Sequence, residues 1–141
     1  MKLFLDANVL FTAAYAESGV AQGLFALAER GACRLCSSAF ALDEARRNLA
    51  LKAPGRLPAL ETLLALLQQV PEPPLELLEQ SLAAGLPPKD APILAAAAAC
   101  GADWLVTGDR RDFGHLFGRK ALGVLVLAPR EALAALLATL E

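Results

Sequence analysis

The chain has 141 residues, of which 56% are hydrophobic, with a formal net charge of −2 and a pI of 5.4. This length suits one domain, expected over residues 1–141, and the charge excludes a global basic field for nucleic acid. No apolar stretch free of charge and proline reaches a membrane span, Asp6 interrupts the N-terminal run too early for a signal peptide, and an odd number of cysteines gives no disulfide framework. A cytoplasmic protein with no membrane partner is therefore expected.

Residues 2–6, KLFLD, read as a short buried strand, followed by a helix over 7–16. Ser18 or Gly19 opens a second helix, 20–30, with Leu24, Leu27 and Ala28 at helical spacing and Gly31 as its C-terminal cap. Residues 32–36, ACRLC, are the second strand. Ser37 and Ser38 are candidate caps for a helix reaching 52, and Pro54-Gly55 ends it. Residues 57–69 form another helix, a short extended piece at 69–71 adds a third strand, and 75–84 are helical up to Gly85. Pro87-Pro88 precede an alanine-rich helix, 91–100, closed by Gly101. Strand 103–107, a loop at 108–112, a short helical turn to 117, strand 123–127 and a helix over 130–140 complete the chain. Short apolar strands alternating with helices point to βαβ units and a parallel sheet.

Four acidic residues sit at, or just past, the places where strand is expected to give way to helix: Asp6 in LFLDANVL, Glu44 in LDEARRNL, Asp90 in PPKDAPILAAA and Asp109 in WLVTGDRRDF. In open α/β sheets, functional groups gather at the carboxyl ends of strands. Carboxylates collected there repel one another unless a cation lies between them. Each has a plainer reading: Asp6 and Asp90 as helix caps, Asp109 as a turn residue, Glu44 as solvated helix charge. Asp6 and Asp109 share a crevice only if the first and fourth strands are neighbours. Glu44 is preferred to Asp43 because it shares a helical face with Phe40 and Leu51.

Asn8 and Thr107 are placed to hydrogen-bond these carboxylates or a metal-bound water, and Asp112 is a further candidate ligand. Arg46, Arg47, Lys89, Arg110 and Arg111 flank the acidic positions; Lys89, Arg110 and Arg111 in particular form a candidate phosphate-holding rim. Cys33 and Cys36 form a CxxC, but residues three apart on a strand point to opposite faces. His115 is the only histidine, so no zinc set is completed, and buried, inert thiols are expected.

These residues resemble the PIN-domain family. LFLDANVL is similar to its opening strand with the first Asp, SSAFALDEARRNL to its Glu-bearing helix, and PPKDAPILAAAAACGADWLVTGDRRDF to its Asp-bearing helix and the strand–TGD element. The blocks occur in the family's order; Ala7 departs from it where many members carry Thr or Ser, and 53–86 carries no motif of the family. The resemblance implies a three-layer α/β/α fold with a parallel sheet ordered 3-2-1-4-5, which makes the first and fourth strands neighbours. It also implies a Mg²⁺- or Mn²⁺-dependent endoribonuclease. Many bacterial single-domain members are VapC-like toxins, so RNA as substrate, an antitoxin partner and a homodimer are expected.

On this reading Asp6, Asp90 and Asp109 ligate one or two divalent ions, with Glu44 acting directly or through water, and the ion activates a water against the phosphodiester. Hard oxygen ligands suit Mg²⁺ or Mn²⁺ rather than Zn²⁺. A phosphatase of similar fold usually has a carboxylate two residues after the first, where this chain has Asn8. A receiver domain keeps a Lys after a late strand, and GVLVLAPR has none. From another class, a catalytically idle PIN-like module would act through protein or RNA association, though it has no need of all four carboxylates.

Overall fold

The apolar run Lys2–Leu5 forms β1 at the middle of the sheet, with Leu3, Phe4 and Leu5 fully buried. A strand covered on both faces has no solvent side, so it reads as continuous apolar sequence rather than alternation. In this computed structural model, which describes residues 1–140, five further strands join it: β2 (Arg34–Ser38), β3 (Leu67–Val70), β4 (Trp104–Val106), β5 (Lys120–Ala121) and β6 (Val124–Leu127). Glu141, the last residue of the expected domain, lies outside the described residues. The helices are α1 (Ala7–Tyr15), α2 (Val20–Glu29), α3 (Ala39–Lys52), α4 (Leu57–Leu64), α5 (Leu75–Ala83), α6 (Ala91–Ala99), α7 (Arg110–Phe113) and α8 (Pro129–Thr139). Among them α1 meets α2, α3 and α4, α8 packs on α2, and α6 packs on α5 and touches α3.

The sheet order is β3-β2-β1-β4-β6-β5. The expected 3-2-1-4-5 arrangement is thus corrected to six strands: the expected fifth strand is β6, and β5 is an added antiparallel edge. β5 and β6 are joined by Leu122-Gly123, both in the left-handed region at φ 52° and 82°. A two-residue hairpin with both φ positive normally uses Asn-Gly or Asp-Gly, and Leu-Gly carries no such signal. All other strand pairs are parallel.

Two more boundaries shift for physical reasons. β2 begins at Arg34, not residue 32, because α2 ends in a Schellman motif: the Gly31 N–H donates to the Ala28 carbonyl and the Ala32 N–H to the Leu27 carbonyl. The helix expected to 69 stops at Leu64, and Leu67–Val70 pair with β2 instead. There the sheet edge outweighs the helical propensity of the leucine run.

Ala95, Ala96 and Ala97 of α6 are all 0% exposed. Methyl side chains let this helix lie close to its neighbours, which sets where its first turn, and so Asp90, stands. Ala96→Leu is predicted to destabilise the fold by about 1–3 kcal/mol through overpacking. Exposed Ala99→Leu should stay within about 0.5 kcal/mol. Urea midpoints measure both, and equal effects would contradict the tight seat of α6.

Candidate metal centre

Asp6 is the first residue past β1 and Thr107 the first past β4, and the register Leu5↔Val106 sets these strand ends side by side. Asp6 is 4% exposed. Its Oδ1 accepts from the Ala7 N–H at 2.7 Å, so it does cap α1. Its Oδ2 accepts from Thr107 Oγ1 at 2.8 Å and from Asn8 Nδ2 at 3.2 Å. Asn8 Oδ1 in turn accepts from the Gly108 N–H at 2.7 Å. A Cβ at position 108 would stand 3.3 Å from that oxygen, so the glycine keeps room for Asn8. The Asp109 N–H donates to Thr107 Oγ1 at 3.2 Å, and Asp109 Oδ1 accepts from the Asp112 N–H at 3.0 Å, capping α7. One hydrogen-bonded chain thus runs from Asp6 through Asn8 and Thr107 to Asp109.

Asp90, Asp109 and Asp112 each present a carboxylate oxygen such that all three atoms lie within 4.8 Å of one another. Asp90 stands at the start of α6 but makes no capping hydrogen bond with its side chain. Its Oδ2 is buried and has no hydrogen-bond partner. A buried acceptor left this way is costly and calls for an explanation. Lys89 Nζ reaches Asp112 Oδ2 at 3.0 Å and stays 4.0 Å from Asp90 Oδ2, beyond hydrogen-bond reach. Oxygen-only donors, clustered, with one orphaned, fit a hard divalent cation.

Glu44 is half-buried on α3 and lies outside the trio, yet its charge reaches Asp6. Asp43 is exposed and paired with Arg46 at 3.3 Å, and Arg46 binds Glu61 at 2.7 Å. One argument for Glu44 is corrected: Leu51, thought to share an inward face with it, is 85% exposed. The inward lean of Glu44 comes instead from its place between buried Ala41 and Ala45 and exposed Asp43. In the expected basic rim, Lys89 is engaged with Asp112, and the Arg110 guanidinium lies over the Phe117 ring at 5.9 Å. Arg111 is exposed, with its charge felt at Asp112. A cavity of about 410 Å³ opens beside Asp109, walled by Asn8, Val9, Thr12, Ala21 and Pro129.

Burial drives the Asp6 carboxyl up to about 6, and Glu44 and Asp109 add to the rise, while the hydrogen bonds from Thr107 and Ala7 oppose it. Asp90 is pushed up to about 7, first by burial and then by the adjacent Asp112. Asp112 moves down, held ionised mainly by Lys89, whose own pKa moves up in return. Without a cation, these groups cannot all be ionised cheaply at neutral pH.

The PIN domain family's sequence profile matches residues 2–111. This chain belongs to the PIN domain family. Its structure is similar to VapBC2 from Rickettsia felis bound to a DNA fragment from their promoter (TM-score 0.67, 19% identity, covering 91% of this chain and 98% of that one). It is also similar to PAE2754 from Pyrobaculum aerophilum (TM-score 0.69, 24% identity, 98% and 99% covered). A third likeness is to DNA-bound VapBC from Salmonella typhimurium (TM-score 0.68, 18% identity, 92% and 98% covered). At these identities the likeness shows the fold. Comparison with curated protein sequences finds no match. Among the described residues, no helix is long and apolar enough to cross a membrane.

The raised carboxyls fix the sign of a pH effect. Between their ordinary value of 3.8 and about 6 for Asp6 or 7 for Asp90, the folded protein holds protons that the unfolded chain has released. Stability of the metal-free protein therefore falls as pH rises through that window. The lowered carboxyls of Asp112 and Glu61 act below their ordinary values of 3.8 and 4.5, and the Cys100 thiol, lowered to about 6, opposes the fall only above that pH. In EDTA, the thermal midpoint is predicted to drop by about 5 °C from about pH 5 to about pH 7.5. Asp90→Asn should recover part of that drop at the higher pH and change little at the lower. Equal destabilisation at both pH values would show that Asp90 serves the fold, not a cation.

Proposed function

We propose that this chain is a Mg²⁺- or Mn²⁺-dependent endoribonuclease, the toxin of a toxin–antitoxin pair, built as one domain over residues 1–141. The observation that carries the reading is the orphaned Asp90 oxygen within the Asp90–Asp109–Asp112 trio. Membership of the PIN family supports nuclease chemistry. The likeness to VapBC proteins, two of them bound to DNA, supports an antitoxin partner for this chain. A homodimer is part of the same proposal.

In this assignment Asp6, Asp90 and Asp109 would hold the ion with Asp112, and Glu44 would assist from α3. When bound, the ion supplies a more acidic water and neutralises charge building on the phosphate. The chain's own groups do the rest. Thr107 and Asn8 donate to Asp6 Oδ2 and fix its carboxylate plane. Asp90, raised to about 7, would have to release its proton to serve as a ligand. Arg111 and Lys89 stand ready to hold phosphate oxygens. The cavity beside Asp109 leaves room for a nucleotide next to the carboxylates.

One observation favours the idle binding module as a second reading: Lys89 already sets an ammonium 3.0 Å from Asp112, where it partly substitutes for a cation. Its side chain is 72% exposed, so it is free to swing away. Cleavage decides between the two. With Mn²⁺ at low salt, the protein is predicted to cut single-stranded RNA internally, and Asp109→Asn should reduce the rate at least about 100-fold. Arg111→Ala should weaken RNA binding and lower the salt slope by about one unit or less, with metal binding intact. A preparation that binds Mn²⁺ and leaves every RNA intact would establish the binding module. Cleavage that survives Asp109→Asn would overturn the site.

A further inference from the structure

Cys36 and Cys100 lie 64 positions apart in sequence, yet their Sγ atoms are 3.9 Å apart. Cys36 is on β2 and fully buried; Cys100 follows the last turn of α6 and is partly exposed. The CxxC partner, Cys33, is buried and makes no sulfur contact with Cys36 among the described residues. The pairing is therefore not the one the CxxC spacing suggests. Two thiols in contact, one on a partly exposed residue and one sealed, form the arrangement in which a small oxidant reaches the first and the second resolves it. The surroundings favour the outer sulfur. Lys2 Nζ donates to the Cys100 carbonyl at 2.9 Å, bringing a cation beside it. The hydrogen bond with Cys36 brings the Cys100 thiol down to about 6, while the same contact and burial push Cys36 up.

We propose that Cys36 and Cys100 are an oxidation site, a dithiol that a peroxide converts to an intrachain disulfide between β2 and the end of α6. The Cys100 thiolate attacks one peroxide oxygen; the O–O bond breaks, and Cys100 becomes a sulfenic acid. Cys36 sulfur then displaces that hydroxyl, which leaves as water with the Cys36 proton. Two thiols are oxidised by two electrons, and one hydrogen peroxide is reduced to two waters. The bridge ties the helix that begins after Asp90 to the strand that leads into α3, which bears Glu44. It stands independently of the nuclease reading.

The test uses the full-length protein, reduced and then treated with hydrogen peroxide. Alkylation under denaturing conditions followed by mass spectrometry should find the mass of two hydrogens lost, one alkylatable thiol left out of three, and a Cys36–Cys100 cross-linked peptide. Closing the long loop should raise the thermal midpoint by about 5–10 °C, reversed by dithiothreitol. Cys33→Ser should keep the behaviour and Cys100→Ser should abolish it. Three alkylatable thiols after peroxide, a Cys100 carrying two added oxygens, or a disulfide joining two chains would each overturn the proposal. These outcomes are read on the wild-type protein, so they hold even if a variant folds poorly.

Discussion

The constraint on which the rest of this structure depends is the adjacency of β1 and β4. Parallel pairing in this register puts Asp6 and Thr107 at neighbouring strand ends, and the next turn brings Asp109 to the same place. The fold thereby collects negative charge where water is scarce. Hydrogen bonds from Thr107, Asn8 and the backbone hold part of that charge in position, but they do not neutralise it. Burial and mutual repulsion raise Asp6 and Asp90 together. Such an arrangement is costly to ionise fully at neutral pH.

What was legible in the sequence follows from which features are local. β1 and β4 announce themselves as buried apolar runs ending in Asp6 and in Thr107–Asp109. α6 is bounded by Pro87-Pro88 and Gly101, and its alanines have only one economical use, close packing. The neighbouring of β1 and β4 is not local; it came from the resemblance to the PIN family, in whose profile residues 2–111 fall. The β5–β6 hairpin was illegible because Leu122 occupies a left-handed position usually given to Asn or Asp. β3 was misplaced because its leucines and glutamines also suit a helix, and only the β2 edge decides.

The site shows the same division. That Asp6, Asp90 and Asp109 lie at strand ends or helix starts could be read directly, whereas Glu44 lies in the second turn of α3. Asp112 was legible as a further candidate ligand, but its place beside Asp90 and Asp109 could not be read, since it depends on Asp109 capping α7. Nor could the grip of Lys89 on Asp112, or the contact of Cys36 with Cys100 rather than with Cys33. Each of these is a tertiary meeting of segments whose separate sequences carry no mark of it. The plain reading of Asp6 holds: one oxygen caps α1, and the other accepts from Thr107 and Asn8.

On the proposed function, the cluster around Asp90, Asp109 and Asp112 holds a divalent cation. Calorimetric titration of the purified protein with Mn²⁺ near neutral pH tests it most directly. Saturable binding with proton release, competed by Mg²⁺ and lost in Asp109→Asn, is the expected result. Absence of saturable binding in the wild-type protein, or binding unchanged by Asp109→Asn, would contradict it.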